Sequence, residues 1–180
     1  MLTKLKYTGV KIEDLIDIYK LFIRSRAEYL SVTWHSSLTV AQSHKIENIQ
    51  KTSLKIILAE DYIDYPASCE RTGLLMLSDR RKNRCLAFAK RCLSNPQTKD
   101  MFPLNRHSSL DIRNTEKYLV NFAHTENYLN SAVPYCQRLL NEDNRQNLQR
   151  TSDREQRTTT AGRAPGQERG EDRAMARREG

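Results

Sequence analysis

Apolar residues recur at spacings of three and four along most of the chain up to Asn141. From Ile12, the series Leu15, Ile16, Tyr19, Phe22, Ile23, Ala27 and Leu30 marks one face of a helix over residues 12–31. Glu13, Asp14 and Asp17 lie in its early turns and Arg24 and Arg26 later, as the helix dipole favours. The segment Trp34–Leu38 is a break. Thr39 is placed to N-cap a second helix running to about Ala59. Its stripe is Val40, Ser43, Ile46, Ile49, Gln50, Ser53, Leu54, Ile57 and Leu58, with Lys45, Lys51 and Lys55 elsewhere. Tyr62, Tyr65 and Pro66 open a turn and a short helix near residues 66–72, which Gly73 stops. Ser78 is the expected cap of a third long helix, about 79–94, ended by Asn95-Pro96. Residues 95–112 read as a loop, and Lys117–Ala123 as a strand or a short helix. Ser131 caps a last helix over 132–141, with Pro134 tolerated in its first turn.

Beyond Asn141 the apolar period stops. Residues 142–180 are rich in Arg, Glu, Gln, Thr and Gly, without an aromatic residue. Such a segment buries too little surface to offset chain entropy, so it is expected to be disordered. The pattern therefore predicts an all-α fold, a small bundle of four to five helices over residues 1–141, followed by a disordered tail over 142–180. Tyr19, Phe22, Tyr29 and Phe88 fall on helix stripes and are expected in the core.

Charge adds a partner class. The net charge is +8 from 30 Lys+Arg and 22 Asp+Glu. Most of that surplus falls before residue 141, so the folded part is basic. A basic surface favours anionic partners, chiefly nucleic acid, although a solvated basic surface without a partner remains open. The N-terminus lacks the apolar run of a signal peptide, and no apolar run approaches the length of a membrane span. The expectation is a cytoplasmic or nuclear chain with no membrane partner, its four cysteines reduced.

Candidate enzyme chemistry is sparse. Gly9 and Gly73 alone before the tail cannot form a phosphate loop or a nucleophile elbow. The histidines His35, His44, His107 and His124 are scattered. The adjacent acidic pairs Glu13-Asp14, Glu60-Asp61, Glu142-Asp143 and Glu171-Asp172 lie at helix ends or in the tail. None sits between apolar strands, where a two-metal centre would need it. Cys85 and Cys92 are seven residues apart, roughly 10 Å along a helix and too far for one tetrahedral zinc. No metal and no cofactor are expected, and no catalytic residue.

The helix over 79–94 carries the basic candidates. With Arg80 at zero and about 100° per residue, Arg84 falls near 40° and Arg91 near 20°. Phe88, Cys92, Cys85, Ala89, Leu93 and Leu86 span about 80° to 240°. A stripe of three arginines thus borders an apolar face, with Lys90 on the polar side. Arg81 and Lys82 fall inside the apolar arc and must snorkel or find partners. Each guanidinium can grip two phosphate oxygens, giving a salt-dependent affinity that reads no sequence. Arg80, Arg81, Arg84, Lys90 and Arg91 are the candidate nucleic-acid contacts. Trp34, at a helix end, is a candidate to stack on a base; it is also placed to cover the core.

These segments also form a series. Ile23-Arg24-Ser25-Arg26-Ala27-Glu28-Tyr29 leads to Trp34-His35-Ser36-Ser37-Leu38, then Ile46–Lys51 and Leu54–Leu58. Tyr62, Tyr65, Leu74–Leu77, Arg80-Arg81, Phe88-Ala89-Lys90 and Met101–Leu104 follow. Ser131-Ala132-Val133-Pro134-Tyr135 and Arg138–Asn141 close it. Over about residues 7–141 this order resembles the region after the polymerase core in non-LTR (LINE-type, jockey-like) retrotransposon reverse transcriptases. The resemblance implies a parent RNA-directed DNA polymerase that copies RNA into DNA at a nicked target. It implies that this region forms the thumb, or a helical extension of it, against template and primer. It places the catalytic aspartates, fingers, palm and endonuclease upstream of Met1, so no family catalytic residue carries over. The expectation is a catalytically incomplete fragment with sequence-independent affinity for RNA or DNA. The other reading is a protein-interaction module: the apolar faces of helices 12–31 and 40–59, without a palm to cover them, would drive self-association.

Overall fold

A computed structural model describes residues 1–105 and 116–161. Every regular element among them is helical, and the one sheet-like contact is an isolated antiparallel bridge between Leu104 and Tyr118. One compact unit covers Met1–Glu142 and a second covers Asp143–Gly180.

The first unit opens with α1 (Leu2–Tyr7), which the apolar pattern did not mark, and α2 (Ile12–Ile18). The single helix expected over 12–31 is instead three pieces. After α2 the backbone passes through a π-helical stretch, Tyr19–Arg24, into α3 (Ser25–Ala27). A π turn holds one residue more than an α turn, so it shifts the phase of everything after it. Tyr19 stays buried, but Phe22 is 61 % exposed and Tyr29 71 % exposed, against their expected places in the core. Glu28 takes the inner position instead, with a side chain 2 % exposed. The helix stops at Glu28, and Leu30 turns the chain with φ +47° before α4 (Ser31–Trp34) and a 3-10 turn at His35–Ser37.

α5 (Val40–Leu58) begins where expected. Thr39 Oγ1 accepts from Gln42 N at 3.2 Å and Gln42 Oε1 accepts from Thr39 N at 2.9 Å, a reciprocal capping box. α6 (Tyr65–Arg71) is capped by Asp64, whose carboxylate accepts from Ala67 N at 2.7 Å. Gly73, at φ +64°, ends it as expected, since only glycine enters that region without strain. Leu2, Leu15, Tyr19, Leu54, Ile57 and Cys69 of these elements form the first core cluster.

α7 (Leu77–Ser94) starts one residue before Ser78, and Ser78 does not cap it. The cap comes from another helix. Glu47 of α5 accepts from Leu77 N at 2.9 Å and from Ser78 N at 3.1 Å. A carboxylate there satisfies two of the orphan donors that every helix start carries, and it faces the positive end of the dipole. Tyr65 Oη of α6 also donates to Glu47. Gln50, one turn further along α5, is wholly buried; it accepts from Tyr19 Oη at 2.8 Å and donates to Leu75 O at 3.0 Å.

The second core cluster joins α7 to the end of the unit. It holds Cys85, Ala89, Cys92, Phe102, Cys136 and Leu139, with Phe88 half-buried against it. After α7 come a 3-10 turn at Lys99–Met101, the short α8 (Glu126–Leu129) and α9 (Ala132–Ala161). Lys117–Ala123 is neither the strand nor the helix expected. It is extended chain held by amides from α9. Asn141 accepts from Tyr118 N and donates to Tyr118 O, both at 2.8 Å, and Gln137 accepts from Asn121 N at 2.9 Å. The expected loop at 95–112 lies partly outside the described residues.

The last helix does not end at 141; it continues to Ala161. Among the described side chains from Asp143 to Arg154 none is buried, in keeping with the absent apolar period. Its own hydrogen bonds sustain it, such as Asn147 to Asp143 at 3.3 Å and Thr151 to Asn147 at 3.0 Å. The rest of the tail, Glu171-Asp172 included, lies outside the described residues. Among the described residues, no helix is long and apolar enough to cross a membrane.

Glu47→Gln tests the shared cap. It keeps the shape but removes the charge facing α7, so chemical denaturation should show a loss of about 2–4 kcal/mol. Glu70→Gln, on the exposed side of α6, should stay within about 0.5 kcal/mol of the parent chain. Equal effects of the two substitutions would show that the cap is not a principal support.

Candidate nucleic-acid interface

The basic candidates on α7 go to three different places. Arg81 is 0 % exposed. It donates from Nε to His35 Nδ1 at 3.4 Å and from Nη2 to Ser43 Oγ at 3.2 Å, and Nη2 lies 3.9 Å from Glu47 Oε2. Its guanidinium carbon stands 6.0 Å from the centre of the Trp34 ring. Arg81 therefore cannot meet a phosphate at the surface, and its expected place among the contacts is corrected on that ground. Its position in the apolar arc of the wheel was the sign of this burial. Lys82, the other charge in that arc, pairs with Glu142 at 3.1 Å.

Trp34 is half-buried, and its indole N–H donates to Tyr29 O at 2.8 Å. With Arg81 on its ring, the indole is engaged by the fold on two sides. His35 accepts from Arg81 at Nδ1, so its proton sits on Nε2, facing Tyr135 Oη at 3.3 Å. Burial lowers the His35 pKa below its ordinary 6.5, helped by the charges of Arg81 and Lys82.

Arg80 and Arg84 meet at Glu28. Arg80 Nε stands 2.6 Å from Glu28 Oε1 and Arg84 Nη1 2.9 Å from Glu28 Oε2. One buried carboxylate thus holds two guanidiniums side by side, each only part-covered. The remaining expected contacts, Lys90 and Arg91, are exposed on the later turns of α7.

Two residues that the wheel of α7 could not show complete the cluster. Lys20 and Arg24, from the π-helical stretch, line the same cleft as Arg80, Arg84 and Glu28, together with Ser25, Tyr29 and Leu30; its volume is about 420 Å³. Lys20 pairs with Asp17 at 2.9 Å, whereas Arg24 has no ion-pair partner among the described residues. Burial lowers the Arg24 pKa, and the neighbouring Arg80 and Arg84 charges push the same way, against Glu28. Four cations around one carboxylate leave a positive concavity.

The turn beside the cleft is closed by backbone hydrogen bonds. Ser31 N donates to Glu28 O at 3.1 Å and Thr33 N to Leu30 O at 3.0 Å. Leu30 holds φ +47°, a conformation costing a side-chain-bearing residue about 1–2 kcal/mol.

All four cysteines are buried and free, and among the described residues no three His, Cys, Asp or Glu side chains group as metal ligands. Burial pushes the Cys85 thiol up to about 11 and the Cys136 thiol up to about 12, so both stay protonated. A second concavity, about 550 Å³ between the π-helical stretch and α5, is mostly apolar and lined by Met1, Phe22, Ile23, Arg26, Ala27 and Ile49. Compared with protein-family models, curated proteins and solved structures, the chain matches none.

The His35 contact has a pH signature. Its folded pKa lies below the unfolded value, so the folded state binds fewer protons near that value. Stability is full above about pH 6.5 and falls as pH drops through the window beneath it. Between about pH 8 and about pH 5 the denaturation midpoint should fall further for the parent chain than for His35→Gln. Equal falls would mean that His35 is not held neutral; His44 and His124 are exposed and serve as a background.

Proposed function

We propose that this chain is the nucleic-acid-holding, thumb-side part of a non-LTR retrotransposon reverse transcriptase, without a catalytic centre of its own. It would grip RNA or DNA through phosphates, without reading sequence. The observation that carries this reading is the cleft where Lys20, Arg24, Arg80 and Arg84 surround Glu28. Arginine offers five N–H donors; Arg84 gives one to Glu28, and Arg80 meets Glu28 as an ion pair. The rest suit the fork-like oxygens of a phosphate. Arg91, two turns further along α7, extends the same stripe by about 10 Å. The ordered blocks from Ile23 to Asn141 support the parentage.

The apolar cleft favours a second reading. Phe22 and Met1 are exposed beside Ile49, an arrangement that suits a self-association surface.

Binding to a mixed-sequence oligonucleotide in rising salt tests the first reading. Log affinity should fall linearly with log salt, and Arg24→Ala or Arg91→Ala should each lower the slope by about one. No binding at low salt, or slopes unchanged by both substitutions, would overturn it. Sedimentation tests the second. A dimer that Phe22→Asp converts to monomer would support it, whereas a monomer at all concentrations would exclude it.

A further inference from the structure

We infer that the Arg24–Arg80–Arg84 cleft takes a nucleotide of a single strand, with its phosphate on the arginines and its base on the ring of Tyr29. This rests on the nucleic-acid reading above and deepens it. Three features of the cleft point the same way.

First, Tyr29 lines the cleft while the residue is 71 % exposed. Its hydroxyl has no hydrogen-bond partner among the described residues. A tyrosine that neither packs in a core nor bonds through its hydroxyl is free to offer a ring face, and every base has a face to stack on it.

Second, the backbone on both sides of Tyr29 is tied by hydrogen bonds. Tyr29 N donates to Arg26 O at 3.3 Å and Tyr29 O accepts from Trp34 Nε1 at 2.8 Å. The next residue, Leu30, holds its left-handed conformation in a turn closed by Ser31 and Thr33. The chain keeps a strained residue there, next to a tyrosine that lines the same cleft as three arginines. Strain retained beside a cleft is a mark of a working surface.

Third, Glu28 holds the phosphate-side donors in place. It fixes Arg80 and Arg84 from within, so neither needs to be ordered when an anion arrives. The cleft volume of about 420 Å³ lies in the range of small-ligand sites, roughly 300–1,000 Å³. A base already paired and stacked in a duplex does not present its face to Tyr29, so the arrangement selects unpaired nucleotides.

The experiment uses the whole chain and one short mixed-sequence oligonucleotide, as RNA and as DNA, each alone and annealed to its complement. Fluorescence anisotropy at fixed low salt reads the affinities. The expected result is tighter binding of both single strands than of the duplexes. Tyr29→Ala should weaken single-strand binding about tenfold and leave duplex binding unchanged, and Tyr29→Phe should restore it. RNA against DNA shows whether the ribose hydroxyl adds to the contact. Equal binding of single strand and duplex, or an equal loss on both with Tyr29→Ala, would overturn this inference and leave the phosphate-binding reading standing. Binding of neither form would overturn both. Tyr29 is exposed, so the circular dichroism and melting curve of Tyr29→Ala should match the parent chain.

Discussion

The carboxylate of Glu47 is the point at which three helices are joined. It lies on α5, accepts the first two backbone N–H groups of α7, and takes the hydroxyl proton of Tyr65 from α6 in a hydrogen bond. Apolar packing alone sets how close helices come; it leaves rotation about their axes loosely defined. A cap with two defined donors fixes where α7 begins and how it is turned. Arg81 turns inward on the same helix, where Nε donates to His35 and Nη2 to Ser43, while Nη1 has no hydrogen-bond partner among the described residues. With Arg81 inside, the places of Arg80 and Arg84 are set as well. At about 100° per residue they lie about 40° apart on the same flank of α7. The basic edge of the cleft is therefore a consequence of the buried cap.

The opposite wall depends on a phase shift. Were residues 12–31 one α-helix, Ala27 and Leu30 would face the core and Glu28 would face solvent. The π-helical stretch at Tyr19–Arg24 rotates the residues after it, so Glu28 enters and Phe22 leaves. A lone carboxylate in that place would be costly to bury. Arg80 and Arg84 offset the cost, and the chain then turns at Leu30.

The parts of this arrangement that depend on neighbouring residues were legible in the sequence. The N-cap at Thr39, the stop at Gly73 and the apolar face of α7 all rest on short spacings, and all three are present. The charges of Arg81 and Lys82 inside an apolar arc were legible too, as groups in need of partners, although not which partners. The features that a single helix could not show are non-local. Ser78 is a reasonable cap by its own position, but Glu47 reaches the same donors from another helix. Glu47 itself sits at the spacing Ser43, Glu47, Gln50, Leu54, a stripe whose polar members bind helices to one another. The π-helical stretch has no marker in residue type, so an unbroken α-helical period puts Phe22 and Tyr29 on the wrong side. The cleft needs both the shifted phase and the inward turn of α7 before Lys20 and Arg24 can join Arg80 and Arg84.

The proposed phosphate would answer the charge balance of the cleft. Arg24 is partly removed from water and lies near two like charges, which together lower its pKa. Glu28 has already given its two oxygens to Arg80 and Arg84. For stability alone, a neutral residue at position 24 would serve better, since it would carry neither the desolvation nor the repulsion. A phosphate removes both costs at once: it replaces the lost water with charge-assisted hydrogen bonds and compensates the repulsion among the guanidiniums. Loss of Arg24 should therefore raise stability slightly while lowering affinity. Those opposite signs are what separate a binding arginine from a structural one such as Arg81.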